Sequence, residues 1–517
     1  MKKIFAFTLA LAAVACGKPS DPEGIALFPS NGAKNVNPDT RLVLTFAGKP
    51  ALGTEGIIRI FDAQTGKQVD SLDLSIPAGP RPRSRRTAAP GGAPVAPPAI
   101  EAIYSPTPYP YATTDFTNRN TVPGTPSGEA MRDTATYQLT IIGRFTDGFH
   151  FHPVIIRDSV ATIYPHNNLL EYGKKYYVTI DESVFTVDST AFAGIGPQAW
   201  VFSTKAAGPA ADARKLTVSA DGTGDFNTVQ GAMDAIPDFS AEKWEVFVKN
   251  GQYEEIVYFR NKSNVSIVGE SRDGVHVFYA NSEVFNPHPI NLKTNEWPGT
   301  FPSRRAAFMA DNCTDVRFEN LTIETTLYGQ AEGLLLMGER YYLKNVRVIG
   351  SGDALQVNGS AYFVDCEING AGDTVLGRGA AFFQHCLLTS NGTFMWIRNT
   401  RANHGNIFVD CTFRATGQRP TNLARAPRNN LAGYPYAEAV LINCTLENIV
   451  PEGWGEVYDA SNLHYWEFNS KNPDGTLVDV SKRSKDSRQL DAVKDAELIA
   501  NYSNPAWVLN WNPNESQ

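Results

Sequence analysis

The chain has 517 residues, which is too long for one ordinary domain and predicts two or more hydrophobic cores. Hydrophobic residues make up 42% of the sequence and charged residues 19%, a composition that excludes a disordered chain. The net charge of −8 argues against a general nucleic-acid-binding protein, which needs a basic face.

The stretch MKKIFAFTLALAAVAC at the start has the pattern of an export signal. Lys2 and Lys3 give it a positive start, and residues 4–15 are apolar but too few to span a bilayer. With small residues before Cys16, the stretch resembles a bacterial lipoprotein signal in which that cysteine becomes lipidated. We expect a signal peptide over 1–15, a tether over 16–23, and an exported lipoprotein of the cell envelope, at the periplasmic or outer face of the outer membrane. The alternative is an ordinary secretory signal with a chance cysteine.

Residues 24–205 are predicted to be all-β, because short β-branched or aromatic runs such as RLVLTF, IIRIFD and YYVTID alternate with turn residues. This pattern favours an Ig-like β-sandwich. The opening FPSNGAKNVNPDTRLVLTF also resembles bacterial Ig-like domains. A segment near 78–135, rich in proline, arginine and alanine, is predicted to be an insertion or long loop.

Residues 206–214 are predicted to be a linker, and residues 215–512 a right-handed parallel β-helix. Short strands such as VRFENLTIE, AYFVDCEING and GNIFVDCTFR return along this part, in a unit of about 20 residues or more that irregular insertions interrupt. A second sandwich is the rival, but its strands would not share a recurring local pattern.

Five cysteines follow Cys16, and each stands just before an alternating apolar stretch. An odd number in an exported protein argues against a disulfide framework, and the absence of a C-x-x-C pair argues against a metal site. We therefore predict small buried core positions. These cysteines are Cys313, Cys366, Cys386, Cys411 and Cys444.

Two similar turns, GSGDAL and GAGDTV, end in Asp353 and Asp373, which are 20 residues apart. If one coil is about 20 residues long, the two carboxylates lie on adjacent parallel strands roughly 4.8 Å apart. Two carboxylates that close cannot both ionise cheaply, so one pKa rises and the pair supplies a proton donor and a nucleophile. The alternative is that Gly-Asp only marks turns of a solenoid, and the spacing alone does not decide between them.

Three other features bear on that choice. Gln330 precedes Asp353 by 23 residues, about one coil, so its amide can donate to a developing oxyanion. Tyr253 and Glu255 in KNGQYEE are expected to be structural. An arginine run that contains a single acidic residue, Asp410, suggests an anionic substrate. The run consists of Arg378, Arg398, Arg401, Arg414, Arg419, Arg425 and Arg428.

From about residue 215 to about 510 the sequence resembles a pectin methylesterase (pectinesterase). TVSADGTGDFNTVQGAMDAI is similar to the family's opening strand and helix, and residues 251–255 match its G-x-Y-x-E motif. Gln330 falls at the oxyanion glutamine. GSGDAL and INGAGDTVLG resemble the motifs of the acid/base and nucleophilic aspartates, LARAP the arginine motif, and PEGW a further segment that includes Trp454.

The resemblance implies hydrolysis of methyl esters on polygalacturonate, with no cofactor and no metal. It implies that Asp373 is the nucleophile, Asp353 the general acid/base, Gln330 an oxyanion donor and Arg425 the residue that orients the nucleophile. The predicted substrate-binding residues are Arg425, Trp454, Trp396 and Arg378. The expected partner is methyl-esterified pectin, bound by a monomer, with a lipid anchor in the membrane and no nucleic acid.

The sequence also departs from the family pattern. Gly352 replaces a glutamine that commonly precedes the acid/base aspartate, and Pro427 stands where tryptophan is usual. Thr374 and Leu376 replace aromatic residues beside the nucleophile. The spacing from Asp373 to the arginine motif is short, which predicts a trimmed cleft wall. These changes favour altered substrate recognition over lost chemistry.

Two kinds of rival remain open. One is another pectin-active β-helix enzyme, either a calcium-dependent lyase or a glycosidase with paired carboxylates. The other is a non-catalytic, surface-exposed pectin-binding β-helix. A serine esterase of the α/β-hydrolase type is not favoured, because the sequence has no G-x-S-x-G motif.

Overall fold

The computed structural model describes residues 22, 24–80, 137–143, 148–286, 304–327, 329–427, 433–457 and 460–515. Cys16, Arg428 and most of the segment predicted as an insertion near 78–135 lie outside these residues. No helix among the described residues is long and apolar enough to cross a membrane.

The described residues of the N-terminal part form short strands and one 3-10 helix, Glu182–Val184. Its strands are β1 (Ile25–Phe28), β2 (Ala33–Val36), β3 (Leu42–Phe46), β4 (Pro50–Leu52), β5 (Ile57–Asp62), β6 (Gln68–Asp73), β7 (Leu139–Thr140), β8 (Phe149–His150), β9 (Val154–Arg157), β10 (Val160–Ile163), β11 (Lys175–Ile180), β12 (Phe185–Val187), β13 (Thr190–Ala191) and β14 (Val201–Thr204).

Two sheets of these strands share one hydrophobic core. Their orders are β1-β3-β10-β9 and β2-β14-β11-β5-β6. Strand β3 alternates buried and more exposed residues, as a half-buried strand does, and its Leu44 joins Ile60 of β5 and Val178 of β11 in the core. Trp200 is fully buried beside them, and its indole N–H donates to the Pro29 carbonyl at 2.8 Å. These two sheets therefore form a sandwich, whose Ig-like character stays a prediction, and the remaining strands form two smaller sheets, β13-β12-β4 and β7-β8.

The C-terminal part winds through a second series of strands. They are β15 (Lys215–Val218), β16 (Trp244–Val248), β17 (Gly251–Glu254), β18 (Val257–Arg260), β19 (Ser263–Gly269), β20 (Val275–Tyr279), β21 (Phe308–Glu319), β22 (Thr322–Thr325), β23 (Leu334–Lys344), β24 (Arg347–Ile349), β25 (Leu355–Val364), β26 (Glu367–Gly370), β27 (Val375–Gly377), β28 (Ala380–Gln384), β29 (Leu387–Ser390), β30 (Met395–Ile397), β31 (Asn406–Val409), β32 (Thr412–Ala415), β33 (Glu438–Ile442), β34 (Thr445–Glu447), β35 (His464–Phe468) and β36 (Arg488–Gln489).

These strands form two long parallel sheets whose members alternate along the chain. One sheet runs β17-β20-β22-β24-β26-β29-β32-β34, and the other contains β15, β16, β19, β21, β23, β25, β28, β31, β33, β35 and β36 in that order. Each coil thus adds one strand to each sheet, which is the architecture of a parallel β-helix. The predicted all-β fold with a parallel β-helix is confirmed.

The residues that recur just before the cysteines share one backbone conformation. Asp365, His385, Asp410 and Asn443 have φ between 53° and 54°, in the left-handed region that asparagine and aspartate tolerate best. Each bends the chain from one sheet into the other, and the residue that follows points into the core. The five cysteines of the C-terminal part are buried and free, as predicted, although Cys313 follows a separate bend at Asn312.

Within the described ranges of the C-terminal part there are also three helices, α1 (Val229–Ala235), α2 (Ala496–Tyr502) and α3 (Pro505–Leu509). Helix α1 begins after Thr228, whose hydroxyl accepts from the Gly231 N–H at 2.9 Å. Glu255 accepts from the first two N–H groups of the helix, at 2.8 and 3.1 Å, so the acidic residue of the G-x-Y-x-E motif has a structural contact. Asp39 of the sandwich also accepts from Asn227 and Thr228, which joins the two parts.

Candidate active site

The two turns that end in aspartate lie on adjacent coils. Strands β25 and β27 pair in parallel with Leu355 opposite Val375, so Asp353 and Asp373 each stand two residues before the same register position. The turns are joined by hydrogen bonds from the Ala371 N–H to the Gly352 carbonyl and from the Ala354 N–H to the Thr374 carbonyl. This register places the two aspartates at corresponding positions of adjacent coils, while the stacking of their carboxylates stays a prediction.

Asp373 is held by an arginine from a loop 52 residues further along the chain. Nη1 of Arg425 donates to Oδ2 of Asp373 at 2.8 Å, and the two side chains are 43% and 19% exposed. The Arg425 backbone is fixed as well, because its N–H donates to the Met395 carbonyl and its carbonyl accepts from the Tyr465 hydroxyl. A charge-assisted bond of this kind fixes the orientation of the Asp373 carboxylate.

Asp353 is less exposed, and its partner is a different arginine. Nη2 of Arg305 donates to Oδ2 of Asp353 at 2.9 Å. The same guanidinium binds Glu332 through Nε at 2.9 and 2.7 Å and through Nη2 at 2.5 Å. Glu332 is fully buried, and Glu283 lies 3.8 Å from Nη1 on the other side. One buried positive charge is therefore shared among three carboxylates.

This environment gives Asp353 an unusual protonation. Burial raises the pKa of Asp353, and Glu332 and then Asp373 raise it further, while Arg305 and Arg398 lower it, with the result at about 7. Near neutrality the Asp353 carboxyl therefore holds a proton for much of the time. The structure brings together a carboxyl that can donate a proton and a second carboxylate fixed by an exposed arginine.

Gln330 lies next to this pair. Gly329 forms a parallel bridge with Gly352, which places Gln330 beside Asp353 on the preceding coil, and the Gln330 side chain is exposed. The bridge also explains the departure at Gly352, because a Cβ on that residue would lie 2.1 Å from the Gly329 carbonyl oxygen. A glutamine at position 352 would require the two backbones to separate.

Aromatic and guanidinium groups form the adjoining surface. The Trp396 ring lies between Arg398 and Arg425, whose guanidinium carbons are 4.3 and 4.7 Å from its centroid. Tyr434 meets Trp396 edge-on, with centroids 6.5 Å apart, and Arg378 lies 5.6 Å from the Tyr434 centroid. Trp396 thus lies against Arg425, the partner of Asp373, whereas Arg378 lies one aromatic ring further away.

Trp454 requires a correction, because it is 2% exposed and cannot line an open cleft. Its indole N–H donates to Glu467 at 2.8 Å, and its ring stacks on Tyr465 with centroids 4.6 Å apart. Since Tyr465 bonds to the Arg425 backbone, Trp454 supports the site from inside the core.

The sequence reasoning missed Arg305 and Glu332. A signal for Glu332 was present, because a carboxylate inside the run QAEGLLLM would be buried and would need a cationic partner. Nothing in the sequence identified that partner as Arg305. Among the described residues, no group of three or more His, Cys, Asp or Glu side chains could hold a metal ion.

Comparison with known proteins identifies the family to which the C-terminal part is similar. The family model described as Pectinesterase matches residues 215–506, more than half of the chain. "Probable pectinesterase 8" of Arabidopsis thaliana is 26% identical over 306 residues, which cover 55% of this chain and 73% of that protein. "Pectinesterase QRT1" of the same plant is 30% identical over 259 residues, covering 47% of this chain and 64% of the relative.

Solved structures with a similar fold include pectin methylesterases from carrot and from Erwinia chrysanthemi. The carrot protein is 19% identical, with a TM-score of 0.45 over 58% of this chain and 94% of the other. The Erwinia protein PemA is 20% identical, with a TM-score of 0.42 over 57% of this chain and 97% of the other. On the family match over residues 215–506, the chain belongs to the pectinesterase family.

Proposed function

We propose that this chain hydrolyses the methyl esters of galacturonate residues in pectin, releasing methanol and leaving carboxylates on the polysaccharide. The observation that carries the proposal is the unlike pair of aspartates on adjacent coils. Asp373 is bound by Arg425 at 2.8 Å, whereas the pKa of Asp353 is raised to about 7 by burial first and then by Glu332. One residue type then supplies both a nucleophile and a proton donor.

In the first half-reaction, a carboxylate oxygen of Asp373 bonds to the carbonyl carbon of the ester. The side-chain amide of Gln330 donates a hydrogen bond to the oxyanion that develops. Asp353 gives its proton to the methoxy oxygen as the carbon–oxygen bond breaks, so that methanol leaves and an acyl-enzyme remains.

In the second half-reaction, Asp353 is a carboxylate and accepts a proton from water. The water oxygen attacks the acyl carbon, the bond to Asp373 breaks, and Asp373 leaves as a carboxylate that Arg425 again binds. Asp353 has regained its proton, and the sugar carries a free carboxyl group. Arg305 holds Oδ2 of Asp353 throughout, which leaves Oδ1 for the proton transfers.

Methanol release from highly methyl-esterified pectin by the mature chain tests the proposal. The Asp373→Asn variant should release none, because an amide cannot replace the nucleophile, and Asp410→Asn on an exposed turn is a matched control that should keep the parent's activity. Activity should persist in chelator, whereas a calcium-dependent lyase would stop. Ultraviolet-absorbing products, or a fall in viscosity without methanol, would replace this proposal with a lyase or a glycosidase.

We also infer that the chain is exported and anchored in the outer membrane through a lipid on Cys16, with an Ig-like domain as a spacer. The inference rests on the apolar stretch before Cys16 and on the sandwich at residues 25–204. Parent protein expressed in a Gram-negative host should fractionate with membranes, and Cys16→Ser should not. Equal distribution of the two proteins between the fractions would exclude the anchor.

A further inference from the structure

A cavity of about 400 Å³ lies beyond the arginine–tryptophan surface of the candidate active site. Its residues come from the loop after β30, the start of β33, the start of β35 and helix α2. We call it the histidine cavity, and it is lined by Asn399, Thr400, Arg401, Ala402, Asn403, His404, Tyr436, Glu438, Ser461, Asn462, His464 and Tyr502.

The cavity is built around a buried carboxylate. Glu438 is 4% exposed and accepts hydrogen bonds from His404 Nδ1 at 2.7 Å, His464 Nδ1 at 2.6 Å and the Tyr502 hydroxyl at 2.7 Å. Burial raises the pKa of Glu438, but the bonds from the two histidines outweigh it and the pKa falls to about 2. Glu438 is therefore an anion that fixes the proton of each imidazole on Nδ1.

The second nitrogen of each histidine is available. Among the described residues, Nε2 of His404 and Nε2 of His464 have no hydrogen-bond partner. With Nδ1 bonded to Glu438, Nε2 of each ring is left to form a hydrogen bond with the hydroxyl of a sugar. The rings are held rigidly, since His404 packs on Trp507 with centroids 4.4 Å apart and His464 stacks on Trp466 at 4.0 Å.

Arg401 supplies the group that selects an acid. Its side chain is exposed at the rim, and within the described residues it has no ion-pair or hydrogen-bond partner. An arginine fork binds a carboxylate through two parallel hydrogen bonds. Two histidines that can bind hydroxyl groups and a guanidinium without a partner among the described residues together fit one chemical class, a sugar that carries a carboxylate.

The cavity adjoins the surface beside the candidate active site along the chain. Arg398, whose guanidinium lies over Trp396, immediately precedes Asn399, and the Asn403 amide donates to the Arg378 carbonyl at 2.9 Å. Because Asn399 is three residues after Trp396, their backbones are at most about 11 Å apart, a distance that a few sugar residues span.

We propose that the histidine cavity is a distal subsite that binds an unesterified galacturonate residue of the same pectin chain, its carboxylate on Arg401 and its hydroxyls on His404 and His464. This rests on the proposed function, because it makes the enzyme favour esters that have free galacturonate residues a few sugars away. A methyl-esterified residue lacks the negative charge that Arg401 requires, so each hydrolysis creates a ligand for the subsite.

Binding of unesterified oligogalacturonate, measured by calorimetry, tests the subsite directly. The proteins are Asp373→Asn, Asp373→Asn/Arg401→Met, and Asp373→Asn/Arg419→Met, in which an exposed arginine outside the cavity is removed. Loss of a charge-assisted contact should weaken binding at least about tenfold in the Arg401 variant and leave the Arg419 variant at parental affinity. Any binding at the aspartates is common to the three proteins.

Kinetics provide the second test. The preference for partially de-esterified over fully esterified pectin, as a ratio of kcat/KM values, should fall at least about tenfold in Arg401→Met and stay unchanged in Arg419→Met. Equal affinities in the three binding proteins, or no binding in any of them, would overturn the subsite. A parent that binds oligogalacturonate through Arg401 but releases no methanol would refute the proposed function and leave the subsite standing.

Discussion

Replacing Glu332 by glutamine should move the pH at which the enzyme loses its general acid. The pKa of Asp353 is raised to about 7 from 3.8, first by burial and then by the Glu332 carboxylate, which shares Arg305 with it. Glu332→Gln removes that negative charge and leaves the Arg305 guanidinium with one fewer carboxylate to bind. Both effects favour the ionised form of Asp353, so its pKa falls.

The size of the shift follows from ordinary charge–charge effects. A single charge at hydrogen-bonding distance moves a pKa by about 1 to 3 units, and one unit corresponds to 1.36 kcal/mol. The alkaline limb of kcat/KM for methanol release, which reports the free enzyme, should move down by at least about one unit. At a pH above the pKa of Asp353 in both the parent and the variant, kcat/KM of the variant should be about tenfold lower than that of the parent.

The double variant Arg305→Met/Glu332→Met is the matched control. This variant removes Glu332, which raises the pKa of Asp353, together with Arg305, which lowers it. The alkaline limb should therefore return towards the pH at which it lies in the parent. Apolar replacement of both partners of a buried ion pair is usually tolerated, whereas removing only the arginine would cost about 3 to 5 kcal/mol. An alkaline limb that stays at the parental pH in Glu332→Gln would refute the reasoning.

Two further predictions concern the oxyanion donor and the helix cap. Gln330→Ala should lower kcat about 100-fold without changing Tm, because the side chain is exposed; full activity would remove Gln330 from the mechanism. Burial raises the pKa of Glu255 from 4.5 to about 7, so the folded state binds this proton more tightly than the unfolded state does. The free energy of unfolding should therefore fall as the pH rises from 4.5 to 7, and this slope should be smaller in Glu255→Gln in urea titrations; an equal slope would exclude the effect.

The sequence predicted the β-helix because its backbone requirements are local. The residues at the bend between the two sheets must adopt a left-handed conformation, and Asp365, Asp410 and Asn443 are residue types that tolerate it. The buried cysteine that follows each of them completes a pattern that repeats with every coil. A signal that recurs on one strand after another is readable without any long-range contact.

The register of the two aspartates was also predictable, since a coil of 20 residues places Asp353 and Asp373 at equivalent positions. The burial of Trp454 was not, because it depends on Tyr465 and Glu467 closing over the indole from the next coil. The motif around a residue predicts its position along the chain, whereas packing decides whether its side chain faces the core or the solvent.

Burial and then Glu332 raise the pKa of Asp353, and the two aspartates are also bound by different arginines, which come from opposite directions along the chain. Arg425 is 43% exposed, and Asp373 is the carboxylate that it binds. Arg305 is 13% exposed and divides its charge among Asp353, Glu332 and Glu283. A divided charge stabilises each carboxylate less, so Arg305 offsets only part of the rise in the pKa of Asp353 that burial and Glu332 cause. The two turns of nearly identical sequence can thus take opposite roles only because residues about 50 positions away on either side complete them.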